Sequence, residues 1–187
     1  HRDFESREDF DDAIDAAVRT SGAEFICLAG FMRILGEALV ERWRDRLINI
    51  HPSLLPAFKG LHSQERAIDA GVRLSGCTVH FVRPAMDDGP IIVQAAVPVL
   101  DGDDAEALSA RILEAEHRAY PLAVRLIAEG RARVVNERVV IDGAEEAAGA
   151  EAVLINPLAE PPRPVTATGR RLALRGLFDR TKDKDRG

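Results

Sequence analysis

Asn49 and His51 are the first residues of this sequence that invite a chemical reading. They stand two apart at the end of an apolar run, Leu47-Ile48-Asn49-Ile50, so on extended backbone both side chains face the same way. An amide donor beside an imidazole can stabilise a negatively charged oxygen and move a proton near neutral pH. The loop that follows, Pro52-Ser53-Leu54-Leu55-Pro56, is stiffened by its two prolines, which suits a preorganised centre. A second candidate is Met86-Asp87-Asp88-Gly89-Pro90, a turn with a carboxylate at its tip and a glycine that lets backbone approach closely. Alone, it reads as an ordinary Asp-Gly turn.

Elements must bring these residues together. Ser6 followed by Asp9 resembles a capping box with Asp in the Glu position. Phe10, Ile14, Ala17 and Val18 then recur at helical spacing until Thr20-Ser21-Gly22. Residues 24–30 (EFICLAG) form an almost wholly apolar run, which predicts a buried parallel strand. A helix is predicted over 35–46, with Leu39, Val40 and Trp43 on one face, and a second strand over 47–50. Strand, helix and strand within about thirty residues make a βαβ unit. In open α/β sheets, ligands gather at the carboxyl ends of strands, which is where Asn49 and His51 fall. Further on, the pattern predicts a helix over 63–70, strands over 77–82 and 91–97, and a helix over 105–130 broken at Tyr120-Pro121. A terminal hairpin follows, over 131–135 and 138–141, around Asn136-Glu137. The fold class is therefore α/β. Because the later strands lack intervening helices, the sheet is expected to be mixed.

Composition narrows the function classes. The chain has 187 residues, enough for one domain with a core. Its net charge of -6 argues against a dedicated nucleic-acid binder, which usually carries a basic surplus. The two cysteines, Cys27 and Cys77, lie in apolar runs, have no zinc spacing, and are expected to be buried thiols of a reducing compartment. No stretch approaches the roughly 18–20 apolar residues of a membrane span. The expectation is a cytoplasmic protein that binds no nucleic acid, membrane or metal. After Gly143 the texture turns to Ala, Glu and Gly, then to a Pro-rich stretch. Residues 161–187 carry eight basic and three acidic side chains. Residues 1–143 thus read as the folded domain and 144–187 as a poorly ordered, solvated tail. Two alternatives stay open: docking through Val153-Leu154-Ile155, and contact of the basic end with an acidic partner.

Asn49-Ile50-His51-Pro52-Ser53-Leu54-Leu55-Pro56, followed 38 residues after its Asn by the Asp of a D-x-G-P turn, resembles the catalytic signature of folate-dependent formyltransferases. Gly30-Phe31-Met32-Arg33-Ile34-Leu35 resembles the same family, as do Thr78-Val79-His80-Phe81-Val82, Glu116-His117 with Tyr120-Pro121, and the hairpin ending at Asp142-Gly143. Gly60-Leu61-His62 is similar to the branch acting on glycinamide ribonucleotide. The resemblance covers about residues 1–143. It implies a Rossmann-like formyltransferase fold with a mixed, mostly parallel sheet flanked by helices.

The implied activity is formyl transfer from 10-formyltetrahydrofolate, the co-substrate, to the amine of glycinamide ribonucleotide in purine synthesis, by a monomer or homodimer. The implied catalytic trio is Asn49, His51 and Asp87. Met32, Arg33, Ile34, Leu35, His80 and Asp87 are implied on the folate side, and Asn49, Ser53, Gly60 and Glu116 on the ribonucleotide side. Read without the family, Arg33 is also an exposed arginine, His80 a packed strand histidine and Glu116 a solvated helix residue. Lys59 stands where the family commonly has proline, which is expected to loosen the loop. The family's opening strand and glycine-rich turn, whose helix N-terminus holds the substrate phosphate, have no counterpart here. The expectation is an N-terminally truncated domain with an uncovered first strand, weak ribonucleotide binding and slow turnover. Two other readings are a formyltetrahydrofolate hydrolase and a catalytically weak folate-binding remnant.

Overall fold

The computed structural model describes residues 4–143; the tail assigned to 144–187 lies outside the described residues. Helix α1 (Arg7–Thr20) starts at Ser6, whose hydroxyl accepts the Asp9 N–H at 3.0 Å and donates to the Asp9 carboxylate at 2.7 Å. The N-cap stands where the sequence indicated, but the Asp9 carboxylate meets the Ser6 hydroxyl and not its backbone N–H, so the capping box is not reciprocal. Strand β1 (Ile26–Leu28), helix α2 (Glu37–Arg42) and strand β2 (Leu47–His51) follow, and β1 pairs parallel to β2. Ile14 and Val18 of α1 pack against Leu39, Val40, Trp43 and Leu47, a satellite core beside the sheet. α2 is shorter than predicted because the chain turns at Trp43 and passes through Asp45 at φ 58° before entering β2.

Helix α3 (Ser63–Asp69) leads to strands β3 (Leu74–Phe81) and β4 (Ile91–Pro98). The sheet order is β1-β2-β3-β4, with β2–β3 and β3–β4 antiparallel. The sheet is mixed, as expected. The finer expectation of a mostly parallel sheet is not met among the described strands, where one pairing is parallel and two are antiparallel. For β3 and β4 the cause is the connection: residues 82–90 are too few for the crossover that a parallel pair needs.

Helix α4 (Ala105–Ala128) packs on β3 and β4 and closes the main core, built from Ile48, Cys77, Val79, Phe81, Leu108, Ile112 and Ala123. The expected break at Tyr120-Pro121 does not occur. Ala119 and Ala123, on either side of Pro121, are 3% and 0% exposed, and the Tyr120 hydroxyl donates to the Leu28 carbonyl at 2.7 Å. Packing of both halves offsets the missing proline N–H. Strands β5 (Ala132–Val135) and β6 (Arg138–Ile141) form the predicted hairpin, with Asn136 and Glu137 both at positive φ, the two-residue turn that matches strand twist.

β1 departs from its expected burial. It is the edge strand of the described sheet, its ends are half-buried, and Cys27 is exposed. Its apolar run suggested cover on both faces, but Ile26 and Leu28 pack against the α1–α2 cluster while Cys27, on the opposite face, stays exposed. Cys77, in the central strand β3, is buried as expected.

Candidate active site

The register of β2 on β3 sets the site. Asn49 pairs with His80 and His51 with Thr78, so all four side chains rise from one face of the sheet. Thr78 fastens the loop that leaves β2. Its hydroxyl donates to the Ser53 carbonyl at 2.7 Å and accepts the Leu55 N–H at 3.0 Å and the Gln94 amide at 3.0 Å. The loop then returns over the site. Phe58 and His62 both adopt left-handed backbone at φ 52° and 57°, strain of the kind that collects at functional sites.

Asp87 reaches the same place from the turn after β3, also at positive φ (51°). Its Oδ2 accepts the Gly60 N–H at 2.8 Å and lies 3.3 Å from His51 Nδ1. Its Oδ1 is 3.8 Å from His80 Nε2. One carboxylate therefore sits between two imidazoles, drawn from a turn 38 residues away from Asn49 in sequence. The opposite nitrogen of His51 faces the Phe58 carbonyl at 3.0 Å, so its Nε2 is the donor there. His51 is 6% exposed and has acceptors on both sides, an arrangement that the doubly protonated ring satisfies fully.

His80 differs. Its Nδ1 donates to the Phe81 carbonyl at 2.9 Å, and its Nε2 is buried without a hydrogen-bond partner among the described residues. Burial pushes the imidazole below its ordinary value, against the smaller opposite pull of the Phe81 carbonyl and Asp87. The ring is thus neutral with its Nε2 lone pair toward Asp87.

These groups line a cavity of about 620 Å³ at the carboxyl end of β2. Met32, Arg33, Ile34, Leu35, Asn49, His51, Gly60, His80, Asp87 and Glu116 all reach its wall. The Asn49 amide is half-buried and makes no side-chain hydrogen bond among the described residues, which leaves its N–H donors for a ligand. Glu116 rises from α4, where burial, only partly offset by His117, holds its carboxyl above the ordinary range. Met32, Ile34, Leu61, Met86 and Leu113 are large apolar side chains left exposed, and all five lie on this cavity. An apolar rim around a few convergent polar groups is the usual make-up of a small-molecule site. Arg33 has no ion pair among the described residues and stands exposed at the rim.

Ser53 is the exception among the expected site residues. It is wholly buried, its hydroxyl donates to the Ala57 carbonyl at 2.6 Å, and it does not line the cavity. Its place is inside the loop, as a brace. Lys59 also departs from expectation: it forms an ion pair with Asp88, joining the loop after β2 to the Asp87 turn instead of loosening it. Sequence reasoning assigned no role to Thr78, to the Phe58 carbonyl or to the Gly60 N–H. Backbone groups leave no trace in residue type, and a threonine in a strand is ordinary.

Residues 1–124 match the family described as formyl transferase. The chain belongs to this family. Among relatives of the formyltransferase domain, the trifunctional purine biosynthetic protein adenosine-3 of Drosophila pseudoobscura pseudoobscura is 58% identical over 137 residues, 73% of this chain and 10% of that protein. The phosphoribosylglycinamide formyltransferase of Escherichia coli (strain K12) is 41% identical over 140 residues, 75% of this chain and 66% of the relative. The crystal structure of glycinamide ribonucleotide transformylase 1 from Symbiobacterium toebii superposes with a TM-score of 0.72 at 51% identity, over 74% of this chain and 65% of that one. The chain thus spans about a tenth of the length of the trifunctional relative and about two thirds of the single-function ones. Among the described residues no cluster of three or more His, Cys, Asp or Glu could hold a metal ion, and no helix is long and apolar enough to cross a membrane.

Proposed function

We propose that this formyltransferase-family chain carries the centre that moves a formyl group from 10-formyltetrahydrofolate to the amine of glycinamide ribonucleotide. The observation that carries the reading is the Asp87 carboxylate held 3.3 Å from His51, on the cavity wall that also bears Asn49. Bound 10-formyltetrahydrofolate supplies a formyl carbon open to attack by an amine.

The chain's residues supply the rest. Asn49 donates its amide N–H to the oxygen that gains charge at that carbon. His51, protonated and fixed by Phe58 and Asp87, adds positive charge beside it. Asp87 takes up the proton that the attacking amine releases, and that proton goes to N10 of the folate as the formyl C–N10 bond breaks and tetrahydrofolate leaves. Met32, Ile34 and Leu35 offer the apolar wall that a planar pterin needs, and Arg33 a free guanidinium for the folate carboxylates. Gly60 and Glu116 line the same cavity and serve the ribonucleotide in this reading, with the Glu116 carboxyl able to accept from or donate to ribose hydroxyls.

The test is a transfer assay with purified 1–187 and 10-formyltetrahydrofolate, run with and without glycinamide ribonucleotide. Amine-dependent formylation, abolished by Asp87→Asn, is expected. Folate consumption that ignores the amine would instead indicate hydrolysis, and folate binding without turnover a non-catalytic module. Gly60-Leu61-His62 on the cavity wall favours the transfer reading, because these residues resemble the glycinamide ribonucleotide branch.

A further inference from the structure

Arg83 opens the turn that carries Asp87, and it is an unusual arginine. It is only 9% exposed and lines the cavity, yet its hydrogen bonds and ion pairs go to Val82, Asp45 and Glu137, not to Asn49, His51 or Asp87. Its Nε donates to Glu137 Oε2 at 2.7 Å, its Nη2 to Asp45 Oδ1 at 2.7 Å and its Nη1 to the Val82 carbonyl at 3.0 Å. The fork is spent on the protein, so it is not available to a ligand. Its two acidic partners come from distant places. Asp45 lies in the turn just before β2, and Glu137 is the tip of the β5–β6 hairpin. Both adopt left-handed backbone, at φ 58° and 56°, which aims their carboxylates at one point. Arg44 backs Glu137 from its other oxygen at 2.6 Å and is itself held by Glu41 at 2.8 Å. At the far leg of the same turn, a Cβ on Gly89 would come within 3.3 Å of the Arg83 side chain. The arginine stem therefore packs between the two legs of the turn.

We infer that Arg83 is a positioning residue, which fixes the Asp87 turn relative to β2 by tying it to Asp45 and Glu137. The inference rests on reading Asp87 as the partner of His51. The Val82 N–H already bonds the Leu47 carbonyl at 2.9 Å, and Arg83 adds side-chain ties from the base of this turn to Asp45 before β2 and to Glu137 of the terminal hairpin. The hairpin thereby acquires a purpose: its Glu137 buttresses a turn on the other side of the sheet's end. Loss of the guanidinium lets Asp87 drift from His51, and a displacement near 1 Å at a reacting group costs on the order of 10²-fold in rate.

The experiment reads the His51 ring directly, in the full chain without substrate. Carbon and nitrogen shifts of the labelled imidazole are recorded at fixed pH for the unsubstituted protein, Asp87→Asn, Arg83→Met, Arg83→Lys, Glu137→Gln and Leu126→Ala. The last removes a core side chain of α4 that lies outside the Asp87 turn and is not among the hydrogen-bond partners of Arg83, and it controls for lost stability. Arg83→Met is expected to move the His51 shifts toward those of Asp87→Asn, Glu137→Gln to move them part of the way, and Arg83→Lys to recover some of the difference. Leu126→Ala should leave them in place despite a lower melting temperature. In the transfer assay, Arg83→Met is expected to lower kcat about 10–100-fold with KM little changed. Unmoved His51 shifts in Arg83→Met, or equal movement in Leu126→Ala, overturn the inference. If Arg83→Met does not fold, Glu137→Gln decides by the same criterion. An unsubstituted chain that shows these ring effects but transfers no formyl group refutes the proposed function and leaves the positioning role standing.

Discussion

At the scale of single residues, the site depends on which groups are free and which are tied. Asn49 is half-buried with its amide unengaged, so its contribution is expected to fall in the transition state and little in binding. Asn49→Ala should lower kcat about 10²–10³-fold with KM for folate nearly unchanged, measured by steady-state formyl transfer. His80 makes a prediction about stability. Burial lowers its folded value below the ordinary 6.5, so the unfolded chain binds the proton first as pH falls. Stability is complete above pH 6.5 and declines as pH drops below it toward the folded value. His80→Gln should flatten that acid limb in urea unfolding curves collected across the range. A limb unchanged in the variant would show that another group controls it.

Elements decide how two turns meet. The left-handed backbone at Phe58, His62 and Asp87 folds both loops back over β2. Gly89 makes the second turn possible in a different way: a Cβ there would lie 1.7 Å from the Phe81 carbonyl, so any other residue forces the backbone to shift. Gly89→Ala is expected to destabilise the chain by about 1–3 kcal/mol, the usual cost of overpacking, and to lower kcat by displacing Asp87. Thermal melts and initial rates on the same preparation test both halves. A variant with normal rates would mean that the turn relaxes without moving its carboxylate.

Over the whole molecule, α1 is held to α2 by polar contacts as well as apolar ones. Asp15 is 7% exposed and accepts from Trp43 Nε1 at 2.8 Å and Arg42 Nη1 at 2.6 Å. Burial raises its carboxyl, but the hydrogen bonds from Trp43 and Arg42 and the charge of Arg19 outweigh this and leave it below the ordinary range. It is therefore ionised throughout the neutral range, and its contribution fades only in acid, as pH falls below the unfolded value of 3.8 toward the folded one. Asp15→Ala should lower the melting temperature by on the order of 5 °C. It should also shift the emission of Trp43, the single tryptophan, to longer wavelength as its indole loses its partner and gains water. An unshifted spectrum would show that α1 packs without this bond.

The sequence by itself determined the local pieces: the Ser6 cap, the β1–α2–β2 unit, the hairpin at Asn136-Glu137, and Asn49 beside His51 at a strand end. Each follows from neighbours within a few residues, through periodicity, capping or the two-residue repeat of a strand. It also marked Asp87, though only through family resemblance, since an Asp-Gly turn says nothing about what lies beside it. Tertiary structure decided what depends on distant partners. Pro121 stays helical because both flanks pack. Cys27 is exposed because it lies on the face of β1 opposite the one that Ile26 and Leu28 bury. Ser53 turns inward because Ala57 takes its hydroxyl, and Lys59 binds Asp88 across a gap that no local pattern encodes. Arg83 is the clearest case. On a turn it reads as a surface charge, and only the three-dimensional meeting of Asp45, Glu137 and Gly89 makes it a buried brace. Sequence patterns report forces that act along the chain, whereas these placements come from forces that act across it.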